Sequence, residues 1–139
     1  GFRENAINNF KKLFNQYLGR VFEKICLELV KELKIFNFTK IGRWWYKDKE
    51  IDLLALNEKT KEILACECKW QSKVNAEKIV KELNEKLSWV EWHKEKRKEC
   101  FAVFAKSFSK RVKSYEGKRV YCFDLRDLEK VIKRKEKIA

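Results

Sequence analysis

The sequence predicts an α/β fold, a mixed β-sheet flanked by helices, and three patterns carry that reading. Apolar residues recur at three- and four-residue spacing from Arg3 to Lys34, the period of a long amphipathic helix. Two apolar runs, Ile51–Leu56 and Ile63–Cys68, flank the polar segment Asn57–Glu62, the pattern of a β-hairpin. A continuous apolar run, Glu99–Lys106 (ECFAVFAK), follows a second helical segment. That suits a buried strand reached by a crossover and paired in parallel with the preceding sheet. At 139 residues the chain is long enough for one domain with a real core, so 1–139 is read as a single unit.

In the first helix the recurring apolar set is Phe10, Leu13, Phe14, Tyr17, Leu18, Val21, Phe22, Ile25, Leu29 and Leu33. Gly19 interrupts it, at about 1 kcal/mol against Ala, and such a glycine often admits a close backbone or a ligand. Phe36 to Tyr46 is expected as a strand with a bulge at Gly42. On that strand Trp44 and Tyr46 face one way and Trp45 the other. Lys47–Lys49 is a tight turn into the hairpin, so three strands form a meander. Asn75 is placed to N-cap a helix running to about Lys96, with Ile79, Val80, Leu83, Leu87 and Val90 inward. Ser107 to Tyr115 is expected as a short helix or loop. Gly117 punctuates, and Arg119–Phe123 is a further strand. Asp124 caps a last helix, Leu125–Lys137, with Leu125, Leu128, Val131 and Ile132 inward.

The hairpin carries the chemistry. Its turn is symmetric about the gap between Lys59 and Thr60, which pairs Leu56 with Ile63, Leu54 with Ala65 and Asp52 with Glu67. With a period of two, these six share one face, and Lys69 joins them across from Glu50. Two carboxylates then oppose each other on an apolar face, which is costly unless something neutralises them. A hard divalent cation does so, because Mg²⁺ takes one or two carboxylates and keeps several waters. A solvated salt-bridge ladder on a surface hairpin is the other reading, and the flanking Ile, Leu and Ala oppose it. Glu23 stands open between a surface acid beside Lys24 and a third acid reaching the hairpin from the helix.

Net charge of +13 and a pI near 9.6 point to a polyanionic partner, nucleic acid first. An acidic protein, an anionic membrane surface and a charge-rich thermophile surface are the alternatives. The candidate nucleic-acid contacts are Arg43 and Trp45, Gln71 and Lys73, and the cluster Lys110, Arg111 and Lys113; the basic run Lys94–Lys98 offers further phosphate contacts. No apolar run nears the roughly 18 residues of a membrane span, and no signal peptide is visible, so a cytoplasmic location is expected. Five cysteines, each in an apolar element, read as reduced core thiols. Cys66 and Cys68 form C-x-C, unlike the C-x₂-C of zinc modules. His93 is the single histidine and is read as a surface residue, which disfavours His-dependent catalysis.

Asp52, Glu67 and Lys69 stand as D-x₁₄-E-x-K on adjacent predicted strands, in the order αβββαβ. This resembles the PD-(D/E)XK nuclease superfamily over about Gly19 to Phe123, with Ile51 where that name has a proline. The resemblance implies a restriction-endonuclease-like core. It implies a Mg²⁺ (or Mn²⁺) held by Asp52 and Glu67, by Glu23 from the segment Gly19–Glu23, and by the Cys68 carbonyl. It gives Lys69 the task of orienting water and stabilising developing charge. The runs Gly42–Tyr46, Glu50–Asp52 and Glu67–Trp70 are also similar to the nuclease-like C-terminal domain of archaeal P-loop ATPases, which implies an ATPase domain in the same full-length protein. The chain itself has no G-x₄-G-K-[ST]. The expected function is therefore a metal-dependent endonuclease acting on duplex or branched DNA, by structure or without selectivity. The alternative is a catalytically inactive nuclease-fold module that binds DNA or docks the ATPase. Cutting both strands would take two such sites, hence a homodimer.

Overall fold

The turn Asn57–Lys61 sets the register on which the sheet is built. In the computed structural model, which describes residues 1–33 and 36–138, the Asn57 side chain accepts from the amides of Lys59 and Thr60, and Lys61 adopts φ 57°. The flanking strands then pair antiparallel as expected, Leu56 with Ile63 and Leu54 with Ala65.

In chain order the elements are α1 (Phe2–Leu33), β1 (Lys40–Tyr46), β2 (Lys49–Asn57), β3 (Glu62–Lys69), β4 (Val74–Asn75), α2 (Ala76–Leu87), β5 (Lys98–Ala105), β6 (Phe108–Lys110), β7 (Ser114–Tyr115), β8 (Lys118–Phe123) and α3 (Leu125–Ile138). The main sheet has strand order β1-β2-β3-β5-β8-β7. β1, β2 and β3 are the antiparallel meander, β5 joins β3 in parallel, β8 joins β5 in parallel, and β7 closes antiparallel on β8. The mixed α/β fold and the parallel crossover are thus as the sequence implies.

Period-two alternation splits the core into two layers. Leu54, Ile63, Ala65, Phe101 and Val103 pack under α2 through Val80, Leu83 and Leu87. Leu53, Leu64, Cys66, Ala102 and Phe104 pack under α1 and α3 through Phe22, Cys26, Leu29, Val30 and Leu128. Cys66 and Cys68 lie in the second layer, and all five cysteines are free thiols. The caps follow the sequence: Asn75 accepts from the Lys78 amide at 3.3 Å, and Asp124 accepts from Arg126 and Asp127 while Asp127 reaches back to the Asp124 amide.

Five expectations are corrected. The N-terminal half of α1 is not covered: Gly1 to Tyr17 are all exposed, so Phe10, Leu13, Phe14 and Tyr17 are not core. β1 starts at Lys40, with Phe36 buried in the preceding bend. The segment 107–115 contains two short strands, β6 and β7, because β6 pairs with β4 and β7 with β8. Leu125 is exposed at the first turn of α3. Finally, α2 ends at Leu87 and not near Lys96. The side chain of Arg97, 1% exposed, turns back into the connection and donates to the carbonyls of Leu87, Val90 and Trp92. A guanidinium satisfies the open C-terminal carbonyls and folds the chain into β5. The expectations for Lys34 and Ile35, and for the side chains of Leu33 and Ile132, fall outside the described residues.

Arg97 also pairs with Glu99, which Lys118 holds at 2.6 Å. Burial pushes the Glu99 carboxyl up, and these two cations outweigh it and hold it below its usual range. Arg97→Ala would leave the Trp92 carbonyl without its donor, take one of two bonds from the Leu87 and Val90 carbonyls, and halve this network, so we expect a loss of about 3 kcal/mol. Urea denaturation measures it; a loss below about 1 kcal/mol would mean that water replaces the guanidinium without cost.

Candidate metal and phosphate site

Between Gly42 and Trp44 of β1 the register against β2 shifts by one residue, from Gly42↔Leu54 to Trp44↔Ile51. Two residues of β2, Asp52 and Leu53, therefore oppose Arg43. The expected bulge exists, but its extra residue lies on β2. A bulge re-aims the side chain it carries. Ile51 and Leu54 both face α2, Leu53 faces α1, and Asp52 is turned into a cavity bounded by α1.

The β2–β3 pairing runs as far as Leu53↔Cys66, and its next step brings Asp52 beside Glu67. There the Cys68 amide donates to Asp52 Oδ2 at 2.9 Å. Glu67 is the one charged residue of the buried core among the described residues. Its Oε1 lies 3.4 Å from Lys69 Nζ, and its Oε2 is buried without a partner. Burial first, and the charge of Asp52 second, push the Glu67 carboxyl up to about 7, against the pull of Lys86 and Lys69. Glu23 comes from α1 to the same cavity. Burial and the Asp52 charge raise its carboxyl, and Arg43 opposes them.

The sequence-predicted residues Asp52, Glu67, Lys69, Glu23, Cys68 and Gln71 thus line one cavity of about 700 Å³. The expected pairing of Lys69 with Glu50 across the strands is replaced: Lys69 bonds Glu67, while Arg43 bonds both Glu50 and Glu23. Among the described residues no group of three or more His, Cys, Asp or Glu side chains is arranged to hold a metal. Two carboxylates facing each other, one with an orphaned buried oxygen, do fit a hard divalent cation that keeps its own waters. Asp52 and Glu67 would hold it, with the Cys68 carbonyl alongside.

The remaining nucleic-acid candidates separate. Trp45 is 69% exposed on the edge strand. Lys73 lines a smaller cavity that also touches Lys69 and Gln71. Lys110 is engaged with Glu77, and Arg111 with Asp124 and the Cys122 carbonyl. Lys113 is exposed. Arg97, in the basic run 94–98, is buried and structural, while His93 is exposed as expected.

Sequence reasoning missed Lys12, Asn15, Gln16, Trp70 and Lys106, which complete the cavity wall. The signal was present: Lys12, Gln16, Gly19 and Glu23 follow i, i+4, i+7, i+11 and so share a helix face. Open space stands where a Cβ at Gly19 would be. Lys106 Nζ lies 4.3 Å from the Trp70 ring, whose Nε1 is the second buried atom without a partner.

A family described as archaeal and bacterial proteins of unknown function, DUF234, matches residues 1–80. An uncharacterized protein of Methanocaldococcus jannaschii is 37% identical over 128 residues, 87% of this chain. The chain spans 28% of that relative's length. No solved structure matches. No helix among the described residues is long and apolar enough to cross a membrane.

The Glu67 carboxyl has a testable sign. Its folded pKa, about 7, exceeds its ordinary value of 4.5, so between those values the unfolded chain releases the proton first. Metal-free stability therefore falls as pH rises from 4.5 to 7, by at most about 1.4 kcal/mol per unit. Glu67→Gln removes that slope in thermal melts. A slope unchanged by the substitution would place the titration elsewhere.

Proposed function

This chain belongs to the DUF234 family, and from that premise we propose that it is a metal-dependent nuclease domain that hydrolyses DNA phosphodiester bonds. One observation carries the reading: a buried carboxylate with a partnerless oxygen faces a second carboxylate, beside a lysine, in a cavity rimmed by further lysines. Resemblance to the PD-(D/E)XK nucleases supports the same reading. In it, Asp52 and Glu67 hold Mg²⁺ or Mn²⁺. When bound there, such a cation would supply a water of lowered pKa and would screen the scissile phosphate.

The chain's own residues do the rest. Lys69, kept in place by Glu67 Oε1, is a point charge for the phosphoryl oxygen on which negative charge develops. Lys12 and Lys106 flank the cavity and hold the backbone on either side of the cleaved bond. Gln71 orients water or phosphate at the rim. No base-reading element is needed, which fits structure-selective or unselective DNA binding. The greater length of the archaeal relative fits a place within a longer protein, where an ATPase domain would stand beside this one.

A second reading has its own observation. Arg43 already bonds Glu23 and Glu50, and Lys69 already bonds Glu67, so the cluster is partly self-neutralised. That favours an inactive module that binds DNA or docks a partner.

Cleavage of linear, flapped and branched DNA under Mg²⁺ or Mn²⁺ decides between them. We expect Asp52→Asn and Lys69→Ala to lose at least about 100-fold in rate. Variants that cut as well as wild type would refute the assigned residues, and an inert wild type that still binds DNA would leave the second reading. In binding assays, Lys106→Ala is expected to weaken affinity equally for all sequences and to lower the salt slope by about one.

A further inference from the structure

Helix α1 carries three separate stripes. Lys12, Gln16 and Glu23 face the cavity, and Phe22, Cys26, Leu29 and Val30 face the sheet. The third stripe, Ile7, Phe10, Phe14 and Tyr17 with Leu13 alongside, touches neither. Phe10 is 67% and Leu13 64% exposed, and the other three are about half exposed. Their spacing of three, four and three is the a and d pattern of a helix-pairing seam, and Val21 continues it. Phe10 and Phe14 already stack at 6.2 Å along it. A contiguous exposed apolar stripe of this size marks an interaction surface.

The spacing calls for a helix, and the chemistry calls for an uncharged one. A charged partner surface would be desolvated against Phe and Ile without compensation. The same stripe on another copy meets both conditions, since an isologous interface needs one self-complementary patch. We propose that this seam pairs antiparallel with the seam of a second copy of the chain, giving a two-fold dimer. One antiparallel register sets Phe14 beside Phe10 of the partner and Ile7 beside Tyr17. The exposed stretch of α1 is about 24 Å long at 1.5 Å per residue, so the two bodies, each of charge +13, sit at opposite ends of the contact. At these exposures the five side chains offer roughly 550 Å² per copy, on the scale of about 150–250 Å² for each whole aromatic. A standard interface needs about 800 Å² per partner. Pairing also fixes the cavity wall, because Lys12, Asn15 and Gln16 lie on the same helical turns.

Sedimentation equilibrium of the 139-residue chain over micromolar to submillimolar concentrations tests this. Wild type should dimerise, and Phe14→Glu and Phe10→Glu should each raise the dissociation constant at least about 30-fold. Because both side chains are exposed, the circular dichroism and the thermal midpoint of the dilute protein should be unchanged. A wild type that is monomeric throughout overturns the proposal, as does a dimer indifferent to both substitutions. Phe10→Cys and Phe14→Cys variants fix the direction: a disulfide formed mainly when the two are mixed supports antiparallel pairing, and one formed as readily by each alone overturns it. None of these readouts depends on DNA or metal, so they stand apart from the nuclease reading.

Discussion

At the end of β3 the amide of Cys68 donates to the carboxylate of Asp52, where a ladder would continue with a carbonyl. Much of the arrangement depends on that bond. β3 is central, pairing antiparallel with β2 and parallel with β5. The one-residue shift interrupts the β1–β2 ladder at Asp52, the β2–β3 pairing stops at Leu53↔Cys66, and the Asp52 side chain takes over from there. An acid is thereby fixed within a central strand, next to the point where its pairing with β3 stops. Its neighbour on β3, Glu67, then has to share a desolvated space with a like charge, and its raised pKa is the consequence.

The same strand explains why the site is rigid on one side and open on the other. Ile63, Leu64, Ala65 and Cys66 are fully buried, in alternation against α2 and α1. Glu67 and Lys69 continue that strand without interruption, paired with Val103 and Ala105 of β5. The opposite wall comes from α1, whose lower half is anchored by Phe22, Cys26 and Leu29 and whose upper half stands free of the sheet. A site built from a fixed strand and a partly free helix has its geometry set by the strand and its width set by the helix.

What the sequence made legible follows from how local each cause is. The hairpin register was readable because the turn and the period of two determine it between them. The caps of α2 and α3 were readable because Asn75 and Asp124 bond amides three residues away or closer. The bulge was only half readable, since Gly42 marks the place but the extra residue belongs to the other strand. The end of α2 was misplaced because residues 88–96 keep helix-compatible chemistry, while Arg97 imposes the stop from beyond them. The apolar stripe of α1 was assigned to the core because periodicity reports that a face is apolar and is silent on what covers it. Lys12 and Gln16 were passed over for the converse reason: polar residues on a long helix look like solvent contacts until a second element faces them.

The charges around Asp52 bear on the metal and DNA readings together. Four carboxylates, of Glu23, Glu50, Asp52 and Glu67, are interlinked, and the cations that act on them are Arg43, Lys69 and Lys86. The carboxylates outnumber these cations, within a chain whose net charge is +13. A net charge of this sign favours polyanions in general, whereas the carboxylates oppose them locally. A phosphate entering the cavity meets that repulsion unless the excess is removed, and in an enclosed space screening by salt is weak. Protonation of Glu67 removes part of the excess, near pH 7 and below. A divalent cation would offset it, at the position where Glu67 Oε2 lacks a partner. The two halves of the nuclease reading are thus not independent guesses. On electrostatic grounds, a phosphate entering this acidic cavity would need a cation in between, and the alternative in which Arg43 and Lys69 neutralise the cluster still leaves the buried Glu67 Oε2 without a partner.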